Sequence, residues 1–452
     1  MVTKTPLAPQ LESIVGAAGV VSRTQLEAPL ANALAQTVTP NTQIDCTVKP
    51  NTQAELAEII ALAHRNRWGV LPVGSGSKLS WGGLVQADPP NPPYQGGQRE
   101  LVAVSTERLN QLIDHAAGDL TVTAEAGMKF AHLQQILASK AQFLALDPAF
   151  PQMATLGGIV ATGDSGFLRH RYGGVRDQLI GLSFVRADGQ IAKAGGRVVK
   201  NVAGYDLMKL FTGSYGTLGI ICQVTFRVYP LPAASQTVAL TGSPDAIARA
   251  AQTLLASALT PTAVELLSPQ LVASCLGQRD TGLLVRFQSI PESVQEQSNR
   301  LLEVGKALGL QGTSLGGDDQ AQLWQKLREQ LDAPAAEPAI LCKIGVKPTL
   351  AAGALTQMDT LLSPSGAGAI HLGSGLGVLR FAGENLTDRV LKIRSVCQEK
   401  GGFLTVLQAP VSVKQQLDVW GYTGNALDLM RRIKRQFDSE NILSPGRFVG
   451  GV

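Results

Sequence analysis

Five glycine-rich segments contain most of the residues whose types and spacing could do chemistry. The first, PVGSGSK at residues 72–78, follows a predicted strand, and its glycines let the backbone approach a ligand closely. Consecutive N–H groups in such a loop can form a nest for a pyrophosphate, and the hydroxyls of Ser75 and Ser77 could add donors. The loop is not a Walker A loop, because Gly-Lys-Ser/Thr is absent. It is not GxGxxG either, because Leu79 takes the place of the third glycine. A plain turn at the end of a strand explains this segment equally well by itself.

The second segment, ATLGGIVATGDSG at residues 154–166, combines small residues with hydroxyls. This composition suits a large planar or anionic ligand that lies against main chain, and it also suits a close-packed turn. Two loops of this kind in one domain favour a dinucleotide as the ligand. The remaining three segments are YGGVRD at 172–177, GGRVVKNVAGYD at 195–206 and GSYGTLGII at 213–221. Each of these three also has a purely structural explanation when it is considered by itself.

The composition excludes several classes of protein. The 452 residues include 48 glycines, 44% are hydrophobic and only 16% are charged, against about 25% in an average protein. A disordered chain is excluded, and no apolar run approaches the roughly 20 residues that span a bilayer. The first ten residues lack the apolar stretch of a signal peptide, so we expect a cytoplasmic protein. The low charge is explained in part if main chain and hydroxyls, instead of lysines, hold an anionic ligand.

The cysteines and histidines predict no metal site within this chain. There are five of each, they are scattered, and no CxxC pair occurs. Neither a disulfide framework nor a zinc or iron–sulfur site fits this spacing.

The elements that must position the glycine loops can be predicted from periodicity. Between residues 44 and 232, short β-rich runs alternate with helical patterns, which predicts an α/β or α+β domain. Leu56, Ile59, Ile60 and Ala63 share one face of a helix that Asn51 or Thr52 caps. Further predictions are strands at 44–49, 69–73, 101–105, 120–125 and 218–229, a hairpin at 180–193, and helices at 109–114, 130–140, 206–211 and 426–437.

Pro230 and Pro232 mark a predicted domain boundary, and residues 236–415 form a second α+β region. Two basic clusters permit two interpretations each. Arg169-His170-Arg171 is either a solvated loop or an anion contact. Arg431, Arg432, Lys434 and Arg435 form either the solvated face of the last helix or a docking surface.

The order and spacing of PVGSGS, ATLGGIVATGDSG, YGGVRDQLIGL, GGRVVKNVAGYDLMKLF and GSYGTLGII resemble the FAD-binding domain of the vanillyl-alcohol-oxidase/PCMH superfamily. KNVAGYDLMKLFTGSYGTLGI and the ending FDSENILSPGRF are most similar to the FAD-binding subunits of bacterial glycolate oxidase, the E subunit above all. The resemblance implies an α+β fold with three parts. These are a PCMH-type FAD-binding domain of two α/β subdomains (1–235), an α+β cap domain (236–418), and a C-terminal segment (419–452) whose helix returns to the FAD domain.

The resemblance also implies the cofactor contacts. FAD is expected to be non-covalent, because no histidine stands in the first glycine loop. The residues expected at the pyrophosphate are Pro72, Gly74, Ser75, Gly76 and Ser77. Those expected at the flavin and ribityl side are Pro148, Thr155, Gly157, Gly158, Gly163 and Ser165, with Leu156, Asp164 and Gly166 of the same segment also cofactor-binding. Those expected to meet the nucleotide through main chain are Gly219, Ile220 and Ile221.

A flavin that oxidises a 2-hydroxy acid needs a cation for the carboxylate and a base for the hydroxyl proton. Lys200, Asn201 and Tyr205 are the candidates near the flavin. In the alternative, Tyr205 and Asp206 only organise the start of the following helix. The catalytic members of the family are expected to have a GHxGDGNxH metal motif and a later EHG. Here only the HLGSGLG segment that begins at His371 is comparable, so catalysis is expected to need a partner.

The resemblance therefore predicts an FAD-binding subunit of a glycolate dehydrogenase complex, with a second flavin subunit and an iron–sulfur subunit as partners. Such a chain would be cytoplasmic or peripheral on the inner membrane through its partners. Two alternatives stay open: a free-standing D-2-hydroxy-acid dehydrogenase that uses Lys200 and Tyr205, and a scaffold that binds flavin without catalysis.

Overall fold

The computed structural model describes residues 7–87, 99–197, 204–332, 339–362 and 366–452. Within these ranges no helix is long and apolar enough to cross a membrane.

The strands lie in the following order along the chain: β1 Val20–Ser22, β2 Cys46–Val48, β3 Gly69–Val73, β4 Leu101–Ser105, β5 Leu112–Ala116, β6 Thr121–Glu125, β7 Gln142–Phe143, β8 Leu179–Val185, β9 Ile191–Gly195, β10 Ile220–Arg227, β11 Tyr229–Pro230, β12 Ala234–Gly242, β13 Ala263–Leu267, β14 Thr281–Ser289, β15 Gln311–Gly316, β16 Ala339–Gly345, β17 Ala367–His371, β18 Leu376–Ala382 and β19 Phe403–Gln408.

The α-helices alternate with these strands: α1 Leu7–Val15, α2 Ala28–Ala35, α3 Gln53–Asn66, α4 Phe130–Ala138, α5 Leu156–Thr162, α6 Arg169–Tyr172, α7 Val175–Gln178, α8 Leu207–Phe211, α9 Pro244–Leu255, α10 Pro269–Leu276, α11 Pro291–Ala307, α12 Gly317–Asp332, α13 Ala351–Leu362, α14 Leu386–Glu399, α15 Val411–Gln416 and α16 Leu427–Phe437.

The chain divides into two units. The first consists of Met1–Ser165, Gly174–Pro230 and Thr423–Val452, and the second of Gly166–Gly173 and Leu231–Tyr422. The middle segment of the first unit ends at Pro230, which is one of the two prolines that mark the predicted domain boundary. Residues 166–173, which the sequence interpretation places in the FAD-binding domain, group with the second unit.

Two sheets organise the first unit. In the four-stranded sheet, of order β1-β2-β4-β3, strands β2 and β3 both run parallel to β4. The five-stranded sheet, of order β5-β6-β10-β8-β9, is antiparallel throughout. Because β3 ends at Val73, the first glycine loop begins at the carboxyl end of a buried strand.

Helix α3 illustrates how the sequence specifies this unit. Thr52 is its N-cap, and the Glu55 N–H donates to Thr52 Oγ1 at 3.1 Å, which satisfies one of the free donors of the first turn. The four apolar residues of the predicted face are all buried. The helix ends at Arg67, which adopts the left-handed conformation. The predicted helix and its Thr52 cap are confirmed.

The predicted helix at 109–114 is wrong, because residues 112–116 form strand β5. Leu112 and Ile113 are 37% and 45% exposed, so no buried face would stabilise a helix here. The segment instead pairs with β6, with His115 opposite Val122. The hydrogen bonds to β6 decide the conformation, and local periodicity does not report them.

The second unit contains an antiparallel sheet of order β15-β12-β14-β13-β17-β18-β16-β19. Helices α9, α11, α13 and α14 pack against the strands in one hydrophobic core, and α10 and α12 contribute to another. Covering both faces buries the apolar residues of the strands on each side. The mixture of helix and antiparallel sheet confirms the predicted α+β class.

Candidate functional site

A cleft lies in the first unit at the carboxyl end of β3. Loops from distant parts of the chain form its walls. The lining residues are Pro72, Gly74, Ser75, Gly76, Ser77, Lys78, Leu79, Thr155, Gly158, Ala161, Thr162, Tyr215, Gly216 and Arg447.

The loop after β3 presents a run of hydrogen-bond donors. In the part of the chain that the structure describes, the main-chain N–H groups of Ser75, Gly76, Ser77 and Lys78 have no acceptor. The Ser75 hydroxyl donates to the Ser77 hydroxyl at 3.3 Å. Unpaired N–H groups beside hydroxyls are the donor set that an anion with several oxygens requires. The loop therefore fits a phosphate-containing ligand.

Gly74 brings the first glycine loop against the second. A Cβ built at Gly74 would lie 2.2 Å from Thr155 Oγ1, closer than non-bonded atoms can approach. Thr155 caps α5, and its Oγ1 accepts a hydrogen bond from the Gly158 N–H at 3.3 Å. Only glycine at position 74 lets the two loops meet in this way.

An ion pair connects the same two loops. Lys78 Nζ lies 2.5 Å from Asp164 Oδ2, and the two side chains are 5% and 13% exposed. The Ala149 N–H donates to the same carboxylate oxygen at 2.8 Å. A buried cation thus lines the cleft. Lys78 and Arg447 thus stand beside the glycines and hydroxyls among the residues that line the cleft.

Tyr215 and Arg447 form another wall. Arg447 Nη2 donates to the Leu79 and Trp81 carbonyl oxygens at 2.6 and 3.2 Å, and its guanidinium carbon lies 5.8 Å from the centre of the Tyr215 ring. Burial lowers the pKa of Arg447 to about 10, against the opposing effect of Tyr215, so the guanidinium stays charged at neutral pH. Burial also raises the pKa of Tyr215, so its hydroxyl stays neutral. The C-terminal segment therefore holds the loop after β3 in place.

The structure brings together part of the predicted cofactor set. Pro72, Gly74, Ser75, Gly76, Ser77, Thr155 and Gly158 line the cleft. The others lie outside its lining. Asp164 pairs with Lys78, Gly163 caps the carboxyl end of α5, and Gly166 belongs to the second unit. The rest are Pro148, which is buried, Leu156 and Gly157 in the first turn of α5, Ser165 after that helix, Gly219 before β10, and Ile220 and Ile221 within β10.

The lining includes residues that sequence reasoning missed. Lys78 is the last residue of the first glycine segment, and Tyr215 and Gly216 belong to the fifth, so their positions offered a signal. Arg447 lies in the ending FDSENILSPGRF, but its contact with the loop after β3 could not be predicted, because nearly the whole chain separates the two.

Of the predicted catalytic residues, Tyr205 is the one that the structure describes, and it is not among the residues that line the cleft. Lys200 and Asn201 lie outside the described residues. Tyr205 is 92% exposed. Asp206 caps α8, because its carboxylate accepts a hydrogen bond from the Lys209 N–H at 3.3 Å. The same carboxylate forms an ion pair with the Lys209 ammonium. The Lys209 contacts also keep the pKa of Asp206 below its usual value.

A pair of histidines lies in the second unit. His170, on α6, places Nδ1 3.1 Å from Nε2 of His371 at the end of β17. The Ser374 N–H donates to His371 Nδ1 at 3.2 Å, so the proton of the neutral ring lies on Nε2 and is donated to His170. Burial lowers the pKa of both rings, that of His371 to about 3 with a further effect of the nearby His170 and Arg169. Residues 169–171 are therefore not simply a solvated basic loop. No group of three or more possible metal ligands occurs among the described residues.

The His371 pKa predicts a loss of stability in mild acid. Because the pKa is about 3 in the folded chain and near 6.5 in the unfolded chain, only the unfolded state takes up this proton between those values. The contribution of His371 to the free energy of unfolding is therefore fully present above pH 6.5. It is lost as the pH drops, and the loss amounts to about 2 kcal/mol at pH 5. Urea unfolding of the wild type and of His371→Gln at several pH values measures this effect. The variant should lose about that much less stability, whereas His132→Gln, at an exposed position, should follow the wild type. Parallel curves for all three proteins would contradict the prediction.

Two protein-family models match segments of this chain. The model for the FAD binding domain matches residues 44–195, and the model for the C-terminal domain of FAD linked oxidases matches residues 419–448. The chain is 25% identical over 428 residues to glycolate oxidase subunit GlcD of Bacillus subtilis, covering 89% of this chain and 88% of that protein. It is 28% identical over 341 residues to subunit GlcE of Escherichia coli, covering 74% and 84%. It is 24% identical over 438 residues to D-2-hydroxyglutarate dehydrogenase of Stutzerimonas stutzeri, covering 88% and 90%.

Solved structures share the fold. p-Cresol methylhydroxylase with substrate bound superposes with a TM-score of 0.76 at 15% identity, covering 97% of this chain and 95% of that one. The matches confirm the predicted fold and FAD as the cofactor. The donor set of the cleft fits this group, since FAD carries an anionic pyrophosphate and the loop after β3 offers N–H groups, hydroxyls and a buried ammonium to it.

Proposed function

We propose that the chain, which carries an FAD binding domain and the C-terminal domain of FAD linked oxidases, is an FAD-dependent oxidoreductase that oxidises the CH–OH group of a 2-hydroxy acid. The substrate proposed is glycolate, the product glyoxylate, and the chain acts as an FAD-binding subunit of a glycolate dehydrogenase complex. The observation that carries this proposal is the near full-length similarity to a glycolate oxidase subunit, together with a cleft built for the cofactor.

The chain's own residues would hold the cofactor as follows. The N–H groups and hydroxyls of residues 75–77 bind the pyrophosphate. Thr155 and Gly158, at the start of α5, and Tyr215 line the same cleft. When bound, FAD supplies a hydride acceptor for the α-carbon of the substrate.

Substrate binding needs a cation for the carboxylate, and oxidation needs a group that takes up the hydroxyl proton. We retain Lys200 as the candidate cation, Tyr205 as the candidate proton relay and Asn201 as a further candidate near the flavin. His371 stands where related catalytic chains are expected to have a histidine-rich metal motif, but no acidic residue occurs in the seven residues that begin with it. This difference supports the proposal that a second flavin subunit supplies the metal motif that catalysis needs.

Electron transfer also requires a partner. The five cysteines form no CxxC pair, and all five are free thiols, four of them buried. An iron–sulfur subunit that accepts electrons from the flavin is therefore part of the proposal.

The visible spectrum of the purified chain and its response to substrate test this function. We expect a yellow protein whose FAD is released on denaturation, because binding is non-covalent. Without oxygen, glycolate should leave this flavin oxidised until the second flavin subunit is added. A colourless chain that fails to bind added FAD would contradict the proposal, and so would a reconstituted complex that does not reduce its flavin with glycolate.

A second candidate is a free-standing D-2-hydroxy-acid dehydrogenase. Relatives of that kind match over most of their length, as the dehydrogenase of Stutzerimonas stutzeri does. The same anaerobic mixing separates the two functions. Bleaching of the isolated chain by D-lactate or D-2-hydroxyglutarate would favour this candidate, and a flavin that no 2-hydroxy acid reduces, alone or in the complex, would favour a non-catalytic scaffold.

A further inference from the structure

Lys78 is a buried cation whose position is fixed. Its side chain is 5% exposed, and its ammonium lies 5.6 Å from the centre of the Trp81 ring. Asp164 holds the ammonium at 2.5 Å, and the Ala149 N–H in turn holds the same Asp164 oxygen at 2.8 Å. The ammonium is therefore positioned by a carboxylate that is itself positioned by main chain.

The ammonium has more donors than this arrangement uses. A lysine has three N–H donors, and in the part of the chain that the structure describes Asp164 is the single acceptor for Lys78. A donor shielded from water costs free energy when it has no acceptor. The main-chain N–H groups of residues 75–78 have no acceptor either. The same wall of the cleft thus needs several anionic oxygens at once.

We propose that Lys78 is a cofactor-binding residue whose ammonium donates to the pyrophosphate of FAD, and that Asp164 is the positioning residue for this ammonium. The pyrophosphate has two negative charges and several acceptor oxygens. These oxygens can accept from the main-chain N–H groups of residues 75–78 and from the N–H donors of Lys78 that Asp164 does not use. The proposal rests on the FAD binding that the proposed function requires and is independent of which 2-hydroxy acid is oxidised.

Lys78→Met tests the cofactor contact, because it keeps the length of the side chain and removes its charge. Removing a charge-assisted hydrogen bond should raise the dissociation constant of FAD by about 10- to 100-fold. Calorimetric titration of the flavin-free protein measures this constant. ADP, which carries a diphosphate but no flavin, should lose affinity by a similar factor, whereas riboflavin, which has no phosphate, should not.

Asp164→Asn distinguishes the cofactor contact from a purely structural ion pair. The amide oxygen can still accept from Lys78, and a negative charge beside the pyrophosphate is removed. The affinity for FAD should therefore fall by less than it does in Lys78→Met. If the ion pair were purely structural, either substitution would lower the affinity for FAD by the same factor. Lys49→Met is the control, because Lys49 pairs with Glu107 at 2.9 Å and does not line the cleft.

Two results would overturn the proposal: FAD and ADP dissociation constants for Lys78→Met that equal those of the wild type, or equal losses in Lys78→Met and Asp164→Asn. If Lys78→Met does not fold because the Asp164 carboxylate is left unpaired, the double variant Lys78→Met/Asp164→Asn removes both charges. It should show the same loss of affinity, and wild-type affinity in it would overturn the proposal. A wild-type chain that binds no FAD would overturn both this proposal and the proposed function, so the two failures are distinguishable.

Discussion

Gly74→Ala is expected to reduce the affinity for FAD by at least about 100-fold, equivalent to roughly 3 kcal/mol. The added Cβ would lie 2.2 Å from Thr155 Oγ1 and 3.2 Å from Thr155 Cβ. Thr155 is 3% exposed, and its Oγ1 is held by the hydrogen bond from the Gly158 N–H. Relief of the contact must separate the two loops that form the cofactor cleft or break the N-cap of α5, which by itself contributes about 1 kcal/mol.

Gly118→Ala is the matched control for this substitution. Nothing lies within 4 Å of a Cβ built at Gly118, and this residue is exposed. FAD titration and urea unfolding of both variants measure the effect. Gly118→Ala should match the wild type in both, whereas Gly74→Ala should lose FAD affinity and about 1 to 3 kcal/mol of unfolding free energy, the usual cost of overpacking.

A second-site substitution tests the cause. Thr155→Ala removes the oxygen that collides with the added methyl group, at the cost of the α5 cap. Gly74→Ala/Thr155→Ala should therefore bind FAD more tightly than Gly74→Ala alone, in spite of the lost cap. Equal or weaker binding by the double variant would contradict the steric explanation.

The sequence contains the local part of this site. The loop at 72–78 and the segment at 154–166 can be recognised because short runs of glycine and hydroxyl residues specify them. The first follows a strand, and the second includes a helix with its own N-cap, so neighbouring residues determine both conformations. The same holds for α3, whose apolar face and cap lie within one continuous segment.

The remainder depends on partners that are distant in the chain. Arg447 becomes a residue of the cleft because the carbonyl oxygens of Leu79 and Trp81 bind its guanidinium, and no local pattern reports that contact. Strand β5 resembles a helix until its pairing with β6 is known. The low content of charged residues is an average over the whole chain, so it cannot show where a single buried lysine such as Lys78 lies.

Lys434→Met is expected to cost about 3 to 5 kcal/mol of unfolding free energy. Periodicity places Lys434 on the solvated face of the last helix, and that prediction is wrong. The side chain is buried, and its ammonium donates to Asp438 at 2.8 Å, to the Thr217 carbonyl oxygen at 2.9 Å and to the Leu443 carbonyl oxygen at 2.7 Å. Burial lowers the pKa of Lys434, and Asp438 opposes that effect.

The cost arises mainly from what the substitution leaves behind. Without Lys434, the carboxylate of Asp438 is buried with no cation beside it, although the Ile442 and Leu443 N–H groups still donate to it. Because Thr217 follows Tyr215 and Gly216 of the cleft, the lost contact should also weaken FAD binding. Urea unfolding measures the cost, and Arg431→Met, which breaks the exposed pair with Asp428, should change stability by less than about 1 kcal/mol. Lys434→Met/Asp438→Asn removes both charges and should recover part of the lost stability. A double variant no more stable than Lys434→Met would show that the lost hydrogen bonds, and not the unpaired carboxylate, account for the effect.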